Sequence, residues 1–291
     1  MKKNFIAGCG YIGERIARIS RDAGVDVTCM VRSSEHVAKL LEEGFATIGF
    51  SLDDSAMIPA LDLADRVLYY LIPPPGGGVV DTRARNFITS MGNTQKPLKI
   101  VYMSATSVYS EATGGVVSEE SQAAPASAMG KRRLDAETAF LQFGKANNVP
   151  VVILRVSGIY GPGRLPLMQI SQGQPLLRED ESGPSNRIHA DDLATVCLAA
   201  AELGEDRGVY NVSDGSPSSM TSYFNACADV LGLPHQPQIS FDEASRVMSP
   251  LMFSYVSESR IVDNSRMLKS LNVNLRYPAM QEGLAACGAK S

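Results

Sequence analysis

The sequence predicts an α/β fold in which a parallel β-sheet is covered by helices on both faces. Over the first two-thirds of the 291-residue chain, short β-branched segments alternate with helical ones, and the strand segments are almost continuously apolar. Such strands are typical of sheets buried on both faces, and the alternation is typical of parallel, doubly wound sheets. A glycine-rich turn after the first strand makes the predicted sheet a Rossmann-type one.

The individual elements follow from hydrophobic periodicity. The segments predicted as strands up to residue 157 are NFIAG, VDVTCMV, FATIGF, DRVLYYLI, LKIVYMS and PVVILRVS. Those predicted as helices between them are GERIARISRDAG, SSEHVAKLLEEG, TRARNFITSMGN and GKRRLDAETAFLQFGKANN. Further along, 190–204 is predicted as a helix with carboxylates in its first turn, where the helix dipole favours them, and GVYNVSD as one more strand.

The character of the sequence changes after Gly163, where Pro, Gly and Gln become frequent. From Ser216 onward, two predicted helices around 219–232 and 263–272 are joined by polar loops that contain proline. We therefore expect a main domain and a smaller C-terminal lobe. The predicted main domain is 1–163 plus 189–215, and the predicted lobe is 164–188 plus 216–291.

The composition of the chain argues against several classes of function. A formal net charge of -4 gives no basic surface for nucleic acid, so we expect no nucleic-acid partner. The chain has no apolar run near the roughly 18 residues of a membrane span, and the N-terminal apolar run is too short for a signal peptide. Five scattered cysteines without a CxxC pair favour a reducing, cytoplasmic location, and three widely spaced histidines predict no metal site.

The turn after the first strand has the pattern GxGxxG, formed by Gly8, Gly10 and Gly13 with Tyr11 and Ile12 between them. In a strand–turn–helix unit the first glycine permits the turn, the second lets the backbone approach a pyrophosphate, and the third lets the helix pack on the sheet. The pattern predicts a dinucleotide site, the alternative being a tight turn without a ligand. Cys9 is expected to be a small side chain beneath the cofactor, with a redox role as the weaker alternative.

The end of the second strand bears on cofactor choice. NAD-binding proteins tend to carry an acidic residue there, whereas the 2′-phosphate of NADP favours a guanidinium. Here the strand ends with Val31, Arg32 and Ser33. We therefore predict NADP(H) in preference to NAD(H), the alternative being that Arg32 is a solvated loop residue.

The order of motifs along the chain is similar to that of the extended short-chain dehydrogenase/reductase superfamily, the NAD-dependent epimerase/dehydratase group. The motifs are the glycine turn, MSATSVYS (103–110), LRVSGIYGPGR (154–164), RIHADDLA (187–194) and VYNVSDG (209–215). The resemblance implies that the main domain binds a dinucleotide and that the C-terminal lobe binds a small-molecule substrate. It also implies a homodimer through helices flanking the fourth and fifth strands.

That family transfers a proton through a tyrosine, a lysine four residues later and an upstream Ser or Thr, a contribution of roughly 10²- to 10⁴-fold. In this chain Met129 stands at the tyrosine position, Arg133 at the lysine position and Ala105 at the upstream hydroxyl position. None of the ten tyrosines is followed by a lysine four positions later. The chain therefore resembles the atypical members, which keep the nucleotide fold and lack the catalytic tetrad.

Two sets of site residues follow from the motifs and the resemblance. Candidates for a replacement proton donor are Tyr109, Tyr160, Ser104 and Thr106, and either tyrosine has the alternative of being a pocket wall. The predicted cofactor-binding residues are Gly8, Gly10, Tyr11, Ile12, Gly13, Arg32, Ser33, Leu71, Ile72, Pro73, Met103, Ser104, Arg133, Ser157 and Gly158.

Two functions stay open at this point. The first is an NADP(H)-dependent epimerase/dehydratase-like oxidoreductase acting on a small hydroxylated, sugar-nucleotide-like or anionic substrate. Charged residues near the junction of the lobes favour an anion: Arg155, Arg164, Arg187, His189 and Asp191. Arg155 and Asp191 have the alternative of forming a buried pair that ties the lobes together. The second function is a non-catalytic NADP(H)-binding sensor, suggested by the loss of the whole proton relay.

Overall fold

The computed structural model describes residues 3–61, 63–91, 95–110, 113–257 and 259–288. Its strands are β1 (Lys3–Ala7), β2 (Asp26–Val31), β3 (Ala46–Gly49), β4 (Arg66–Tyr70), β5 (Lys99–Ala105), β6 (Thr113–Val117), β7 (Val151–Val156), β8 (Gly158–Tyr160), β9 (Leu176–Leu177), β10 (Pro184–Ser185), β11 (Arg187–His189), β12 (Val209–Val212), β13 (Ser218–Ser219), β14 (Gln238–Ile239) and β15 (Ser259–Val262). Its α-helices are α1 (Gly13–Asp22), α2 (Ser34–Glu42), α3 (Thr82–Ser90), α4 (Ala128–Asn147), α5 (Leu167–Ser171), α6 (Ala190–Leu203), α7 (Met220–Leu231), α8 (Phe241–Val247), α9 (Pro250–Ser257), α10 (Ser265–Ser270) and α11 (Met280–Gly288). Short 3₁₀ turns occupy Ser55–Met57 and Thr106–Val108.

The central sheet has seven strands in the order β12-β7-β5-β4-β1-β2-β3, and neighbouring strands are parallel throughout. The predicted α/β class with a Rossmann-type parallel sheet is confirmed. β1 pairs with β2 on one side and with β4 on the other, so the chain reverses its direction of travel across the sheet at this point. Open α/β sheets bind ligands beyond the carboxyl ends of the strands at such a reversal.

Strand β5 shows why the strand segments are apolar along their whole length. Ile100 and Tyr102 pack in the hydrophobic cluster on one face of the sheet, and Val101 and Met103 pack in the cluster on the other face. Successive side chains of a strand point to opposite faces, so a sheet covered on both sides needs apolar residues at every position.

The strands and helices predicted before residue 215 are present within a few residues of their expected bounds. The last two residues of the segment TRARNFITSMGN, 92 and 93, lie outside the described residues. The C-terminal part was predicted less completely. The helices expected around 219–232 and 263–272 correspond to α7 and α10, whereas α8, α9, α11 and the parallel pairing of β15 with β6 were not foreseen.

The C-terminal elements do not pack as a single unit. Met280 and Leu284 of α11 join Tyr160 and Phe224 in a separate hydrophobic cluster. In contrast, α10 contributes Met267 to the main core beside the central sheet. Packing therefore places α10 with the main core rather than with this separate cluster, and the two-lobe division stays a prediction.

A buried ion pair joins α4 to the central sheet. Both oxygens of the Glu137 carboxylate accept hydrogen bonds from the Arg155 guanidinium, at 2.9 and 3.1 Å, and the Ser104 hydroxyl donates to the same carboxylate at 2.6 Å. Glu137 and Arg155 are only 3% and 6% exposed. The Arg155 guanidinium also lies 4.9 Å from the centre of the Tyr109 ring.

This arrangement corrects the expectation of a pair between Arg155 and Asp191. Arg155 is committed to Glu137, while Asp191 on α6 accepts a hydrogen bond from Arg15 on α1 at 2.8 Å. The reason is positional. Arg155 lies within β7 and faces α4, whereas Asp191 lies in the first turn of α6 and faces α1.

None of the helices formed by the described residues combines the length and apolar character that a bilayer crossing requires. Within the same residues, no group of three or more His, Cys, Asp or Glu side chains is arranged to hold a metal ion.

We predict that Glu137→Gln lowers the free energy of unfolding by about 3–5 kcal/mol, because it leaves the Arg155 charge buried without a counter-charge. Urea denaturation would measure the loss. The matched control is Glu120→Gln, since Glu120 pairs with Arg266 at the surface with 78% of its side chain exposed. That change should cost no more than about 1 kcal/mol. Equal losses in the two variants would contradict a structural role for the buried pair.

Candidate functional site

A cavity of about 490 Å³ opens at the carboxyl ends of β1, β2, β4 and β5. We call it the first cavity. The predicted cofactor residues that line it are Gly8, Gly10, Tyr11, Ile12, Gly13, Arg32, Leu71, Ile72, Pro73, Met103 and Arg133. The remaining predicted residues, Ser33, Ser104, Ser157 and Gly158, are not part of its wall.

The three glycines of the turn have different reasons for being glycine. Gly8 has a φ of +88°, and a Cβ there would lie 2.8 Å from a side-chain carbon of Ile72. A Cβ on Gly13 would lie 2.9 Å from the carbonyl oxygen of Gly8. A Cβ on Gly10 would meet no atom within 4 Å. The fold itself therefore requires glycine at positions 8 and 13, whereas at position 10 the space is left open toward the cavity.

The first turn of α1 presents free main-chain donors to this space. Among the described residues, the amides of Tyr11, Ile12 and Gly13 donate to no acceptor, and the N-cap position, Ile12, has no side-chain cap. Unpaired amides at a helix N-terminus, together with the helix dipole, favour a bound anion. The geometry suits a phosphate or pyrophosphate lying over Gly10.

The far end of the first cavity is basic. Arg32, His36 and Arg83 line it, together with Ser51 and Leu52, which follow β3. Arg83 is already paired with Asp53, at 2.6 Å between Nε and Oδ1. Ser33 caps α2, its side-chain oxygen accepting from the amide of His36 at 3.3 Å. The Ser33 oxygen thus has a local role in starting the helix.

His36 is oriented by a carboxylate on α1. Its Nε2 lies 2.8 Å from Glu14 Oε1, and the Lys39 ammonium and the Arg18 guanidinium also contact Glu14. Burial raises the pKa of Glu14, but the hydrogen bonds from Lys39, Arg18 and His36 outweigh it and lower the pKa to about 2. Glu14 is therefore a fixed negative charge that holds basic side chains of α2 beside the cavity.

At the other end of the first cavity, Arg133 occupies the position at which the resembled family carries lysine. Its Nη1 donates to the carbonyl oxygen of Met103 at 2.9 Å, which fixes the guanidinium at the end of β5. Arg133 and Met103 both line the first cavity. A fixed guanidinium can donate to hydroxyl groups of a ligand.

A second cavity of about 410 Å³ lies beside the first, and Ile159 lines both of them. The other two positions that depart from the family pattern, Ala105 and Met129, line this second cavity. So do Ser157 and Gly158, which were predicted to contact the cofactor. The tertiary structure therefore brings the altered tetrad positions to the junction of the two cavities.

Only some of the predicted proton donors line a cavity. Thr106 lines the second cavity, as does the neighbouring Ser107, which was not predicted. Ser104 is buried and donates to Glu137, and Tyr109 is buried and donates to the Asn211 side-chain oxygen at 2.6 Å. Burial raises the pKa of Tyr109. Ser104 and Tyr109 line neither cavity, so their geometry gives them structural roles.

Tyr160 contributes a wall to the second cavity, and its hydroxyl group points elsewhere. The hydroxyl packs against α11, where a Cβ on Gly283 would lie 2.1 Å from the oxygen. It has no hydrogen-bond partner among the described residues, and burial raises its pKa. Of the two alternatives for Tyr160, a pocket wall fits the geometry better than a displaced acid.

Two buried arginines give the second cavity its charge. Arg187 is 5% exposed and Arg260 is 7% exposed. The Arg187 guanidinium lies 3.9 Å from the centre of the Tyr223 ring and donates to the Ser218 hydroxyl at 3.0 Å, and no ion pair to it is formed by the described residues. Arg260 donates to the carbonyl oxygen of Thr106 at 2.9 Å. A buried guanidinium that forms no ion pair with the described residues, as at Arg187, favours an anionic ligand.

Sequence reasoning missed Arg260, Ser107 and Asn186 in the second cavity, and His36 and Arg83 in the first. No sequence signal pointed to Arg260 or Asn186, because neither lies within one of the motifs. The two residues meet only in the folded chain, where the Asn186 side chain donates to the carbonyl oxygen of Arg260 on β15. A signal for Ser107 was available, since it follows Thr106 within the motif segment 103–110. His36 and Arg83 could have been suggested by their closeness in sequence to Arg32 and to the loop after β4.

Asp214 follows β12, and its amide donates to the carbonyl oxygen of Arg187, a residue that lines the second cavity. One carboxylate oxygen accepts from the amide of Ser216 at 2.9 Å, and the other has no partner among the described residues. Burial raises the pKa of Asp214 to about 6, although the nearby Arg187 charge lowers it. A carboxyl group with a pKa near neutrality is a recognised sign of a functional region.

We predict that Asp214 makes the protein less stable as pH rises. Its folded-state pKa of about 6 exceeds its ordinary value of 3.8, so its contribution is present in acid and is lost between about pH 4 and pH 6. Asp214→Asn should flatten this part of the stability profile and raise stability near neutral pH by up to about 3 kcal/mol. Urea denaturation across this range checks it. Asp229→Asn, at a side chain that is 69% exposed, is the control. An unchanged profile in Asp214→Asn would contradict the assignment.

The comparisons with known proteins address the fold and the motifs. Residues 82–213 match the model of the NAD dependent epimerase/dehydratase family. Protein YeeZ of Escherichia coli (strain K12) is 24% identical over 290 residues, which cover 96% of this chain and 97% of that protein. A putative UDP-arabinose 4-epimerase 4 of Arabidopsis thaliana is 24% identical over 71% of this chain and 50% of its own length.

Solved structures extend the likeness over the whole chain. A functionally unknown conserved protein from Silicibacter pomeroyi DSS is 25% identical with a TM-score of 0.83, covering 100% of this chain and 99% of that one. UDP-glucuronic acid 4-epimerase from Bacillus cereus, in complex with NAD, shares the fold at 20% identity and a TM-score of 0.74, covering 99% of this chain and 97% of that one. The resemblance drawn from the motifs is therefore confirmed: residues 82–213 match the NAD-dependent epimerase/dehydratase family model, and the whole chain shares its fold with the 4-epimerase structure.

Proposed function

We propose that the protein is an NADP(H)-binding oxidoreductase of the epimerase/dehydratase type that acts on a small, hydroxylated, anionic substrate without a tyrosine–lysine pair. The observation that carries the proposal is the junction of the two cavities at Ile159. One cavity has the glycine turn and free helix amides, and the other has hydroxyl groups and buried guanidinium groups.

The residues of the first cavity fit a dinucleotide. The open space at Gly10 and the amides of Tyr11, Ile12 and Gly13 would hold the pyrophosphate, and Arg133 would donate to the nicotinamide ribose. A bound nicotinamide would supply or accept the hydride. Met103 and Ile159 would form the apolar surface beside the ring and keep water from it.

The preference for NADP(H) rests on the basic end of the first cavity. The described wall around Arg32, His36 and Arg83 carries no carboxylate, so no acidic side chain there would repel a 2′-phosphate. Two acidic residues lie nearby, and both are paired: Asp53 with Arg83, and Glu14 with His36, Lys39 and Arg18. Arg32 can form a charge-assisted pair with a phosphate. The complex of the Bacillus cereus 4-epimerase contains NAD, so cofactor choice is a point on which this chain would differ from that structure.

The substrate proposal rests on the second cavity. Arg187 would pair with a carboxylate or phosphate group, and Ser157 would contact a hydroxyl group. Several relatives and structural neighbours are described as acting on UDP-sugars, which are hydroxylated anions. A sugar-nucleotide-like molecule is therefore the first substrate class to examine.

The proton in this proposal comes from a hydroxyl group rather than from a phenol. Thr106, Ser107 and Ser157 line the second cavity next to Ala105 and Met129, where the family's proton donor would stand. The Ser107 and Ser157 hydroxyls have no partner among the described residues. They could hold a water molecule or a substrate oxygen and relay a proton to it.

A second candidate function is a dinucleotide sensor without catalysis. Among the described residues, those that line the second cavity include no carboxylate, histidine or lysine. Serine and threonine hydroxyls are weak acids and bases, so a relay built from them alone gives little general acid–base catalysis. The same cavity would then bind an anionic effector rather than a substrate.

Cytoplasmic location and a homodimer also stay predictions under either function.

We predict that the wild type binds NADPH at least about tenfold more tightly than NADH, because a charge-assisted phosphate contact contributes on the order of 1.5–3 kcal/mol. Calorimetry would measure both affinities. Arg32→Glu should weaken NADPH binding and leave NADH binding nearly unchanged, whereas Arg246→Glu, at an exposed position on α8, should change neither. Gly10→Ala should abolish binding of both without lowering stability. Equal affinity for the two nucleotides would refute the NADP(H) preference.

We predict that the wild type turns over a hydroxylated anionic carbonyl compound with NADPH, measured by loss of nicotinamide absorbance across a panel of such compounds. Ser107→Ala and Ser157→Ala should lower kcat, whereas Tyr109→Phe and Tyr160→Phe should not, because those hydroxyls point away from both cavities. The combined variant Ala105→Ser, Met129→Tyr and Arg133→Lys restores the family's relay. Turnover by this variant alone, with NADPH binding by both proteins, would favour the sensor.

A further inference from the structure

Two cysteines are in contact beneath the glycine turn. Cys9 lies inside the turn, and Cys29 lies on β2, which pairs with β1. The Cys9 thiol donates to the Cys29 sulfur at 3.0 Å, and both side chains are fully buried. The amide of Cys9 donates to the carbonyl oxygen of Met30 at 2.9 Å, which ties the turn to the residue next to Cys29.

We propose that Cys9 and Cys29 form a redox modification site, a dithiol that a peroxide converts to a disulfide, and that the disulfide form binds the dinucleotide more weakly. The second half of this statement rests on the proposed function. The first half does not, because it concerns only the two sulfur atoms and the oxidant.

The chemistry needs no group beyond the two thiols and the peroxide. One thiol sulfur attacks the peroxide, the O–O bond breaks, and a sulfenic acid and one water are formed. The second thiol then attacks the sulfenic sulfur, forming the S–S bond and releasing a second water. The two cysteines together lose two protons and two electrons, and the peroxide is reduced to two waters.

The geometry permits the bond with a small movement. A disulfide needs its sulfur atoms about 2.05 Å apart, so the contact has to close by about 1 Å. β2 is paired on both sides in a packed sheet, with β1 and β3, whereas Cys9 lies in a turn that lines the first cavity. We expect the turn to make the movement, and a turn displaced in this way would aim the amides of Tyr11 and Ile12 less well at a pyrophosphate.

The reaction is expected to be slow. The hydrogen bond to Cys29 and burial raise the pKa of the Cys9 thiol, so little thiolate is present near neutral pH. The opening to the first cavity is the side from which a small oxidant reaches Cys9. A bound dinucleotide would cover this opening and protect the pair.

Thermodynamic linkage connects formation of the disulfide to binding of the dinucleotide. If the disulfide lowers dinucleotide affinity tenfold, saturating dinucleotide must disfavour the disulfide by the same factor. A tenfold change corresponds to about 30 mV in the reduction potential of a two-electron couple. The pair would then respond both to peroxide and to occupancy of the dinucleotide site.

The test treats the full-length wild type with hydrogen peroxide for several hours, removes the oxidant, and maps cross-linked peptides by mass spectrometry. We expect a Cys9–Cys29 disulfide that dithiothreitol reverses and that NADPH slows. NADPH affinity, measured by calorimetry, should fall at least about tenfold on oxidation and recover on reduction. Absence of the cross-linked peptide after prolonged oxidation would overturn the proposal, and so would unchanged affinity in the fully cross-linked protein.

Two variants separate this site from the other buried thiols. Cys29→Ser should give no cross-linked peptide that contains Cys9, whereas Cys197→Ala, at a cysteine buried in the main core, should behave like the wild type. Should the reduced wild type bind no dinucleotide, the dinucleotide-binding part of the proposed function fails, yet the cross-link is still read by mass. The two failures are therefore distinguishable.

Discussion

The central sheet is buried on both faces. Its backbone and polar side chains therefore meet solvent at the ends of its strands. Because the pairs are parallel throughout, the carboxyl ends of β1, β2, β4 and β5 gather at one edge, and the first cavity forms there. The reversal of strand order at β1 separates the following loops and opens the space between them. The glycine turn, Arg32 and the end of β5 occupy their positions as a consequence of this one constraint.

Buried charged side chains are stabilised in two different ways. Glu137 and Arg155 neutralise each other under α4, and the hydroxyl of Ser104 completes the pair. In the second cavity, Arg187 is held by an aromatic ring and a serine hydroxyl, without an ion pair from the described residues. The first arrangement stabilises the fold, whereas the second leaves a positive potential available to a ligand. Arg155 and Arg187 are both buried, but only Arg155 has a carboxylate partner among the described residues.

The altered tetrad positions lie at the junction of the two cavities, which makes their chemistry the central question about function. Arg133 keeps a positive charge beside the first cavity, while Ala105 and Met129 remove the groups that would exchange a proton in the second. A retained binding surface with a weakened proton relay suits an enzyme that uses other hydroxyls, or a protein that only senses its ligands. The contact between Cys9 and Cys29 adds a redox-responsive element to the same turn and is compatible with both functions.

Local sequence determined most of the sheet, the helices and the glycine turn. Hydrophobic period and turn chemistry are short-range properties, so β1 to β5, β7 and α1 to α4 could be predicted closely from the printed residues. Motif order also indicated the resemblance to the epimerase/dehydratase family and located Ala105, Met129 and Arg133. The short strands and helices after residue 215 were harder, because polar, proline-containing segments carry a weak periodic signal.

Only the tertiary structure decided which side chains meet. Arg260 reaches Thr106 from 154 positions away, Arg155 pairs with Glu137 rather than with Asp191, and Tyr160 turns its hydroxyl toward Gly283 instead of the cavity. Such contacts depend on strand register and on the packing of distant elements, which no local pattern encodes. The sequence by itself therefore determined the framework and the positions that depart from the family, and tertiary packing decided which polar groups line the two cavities.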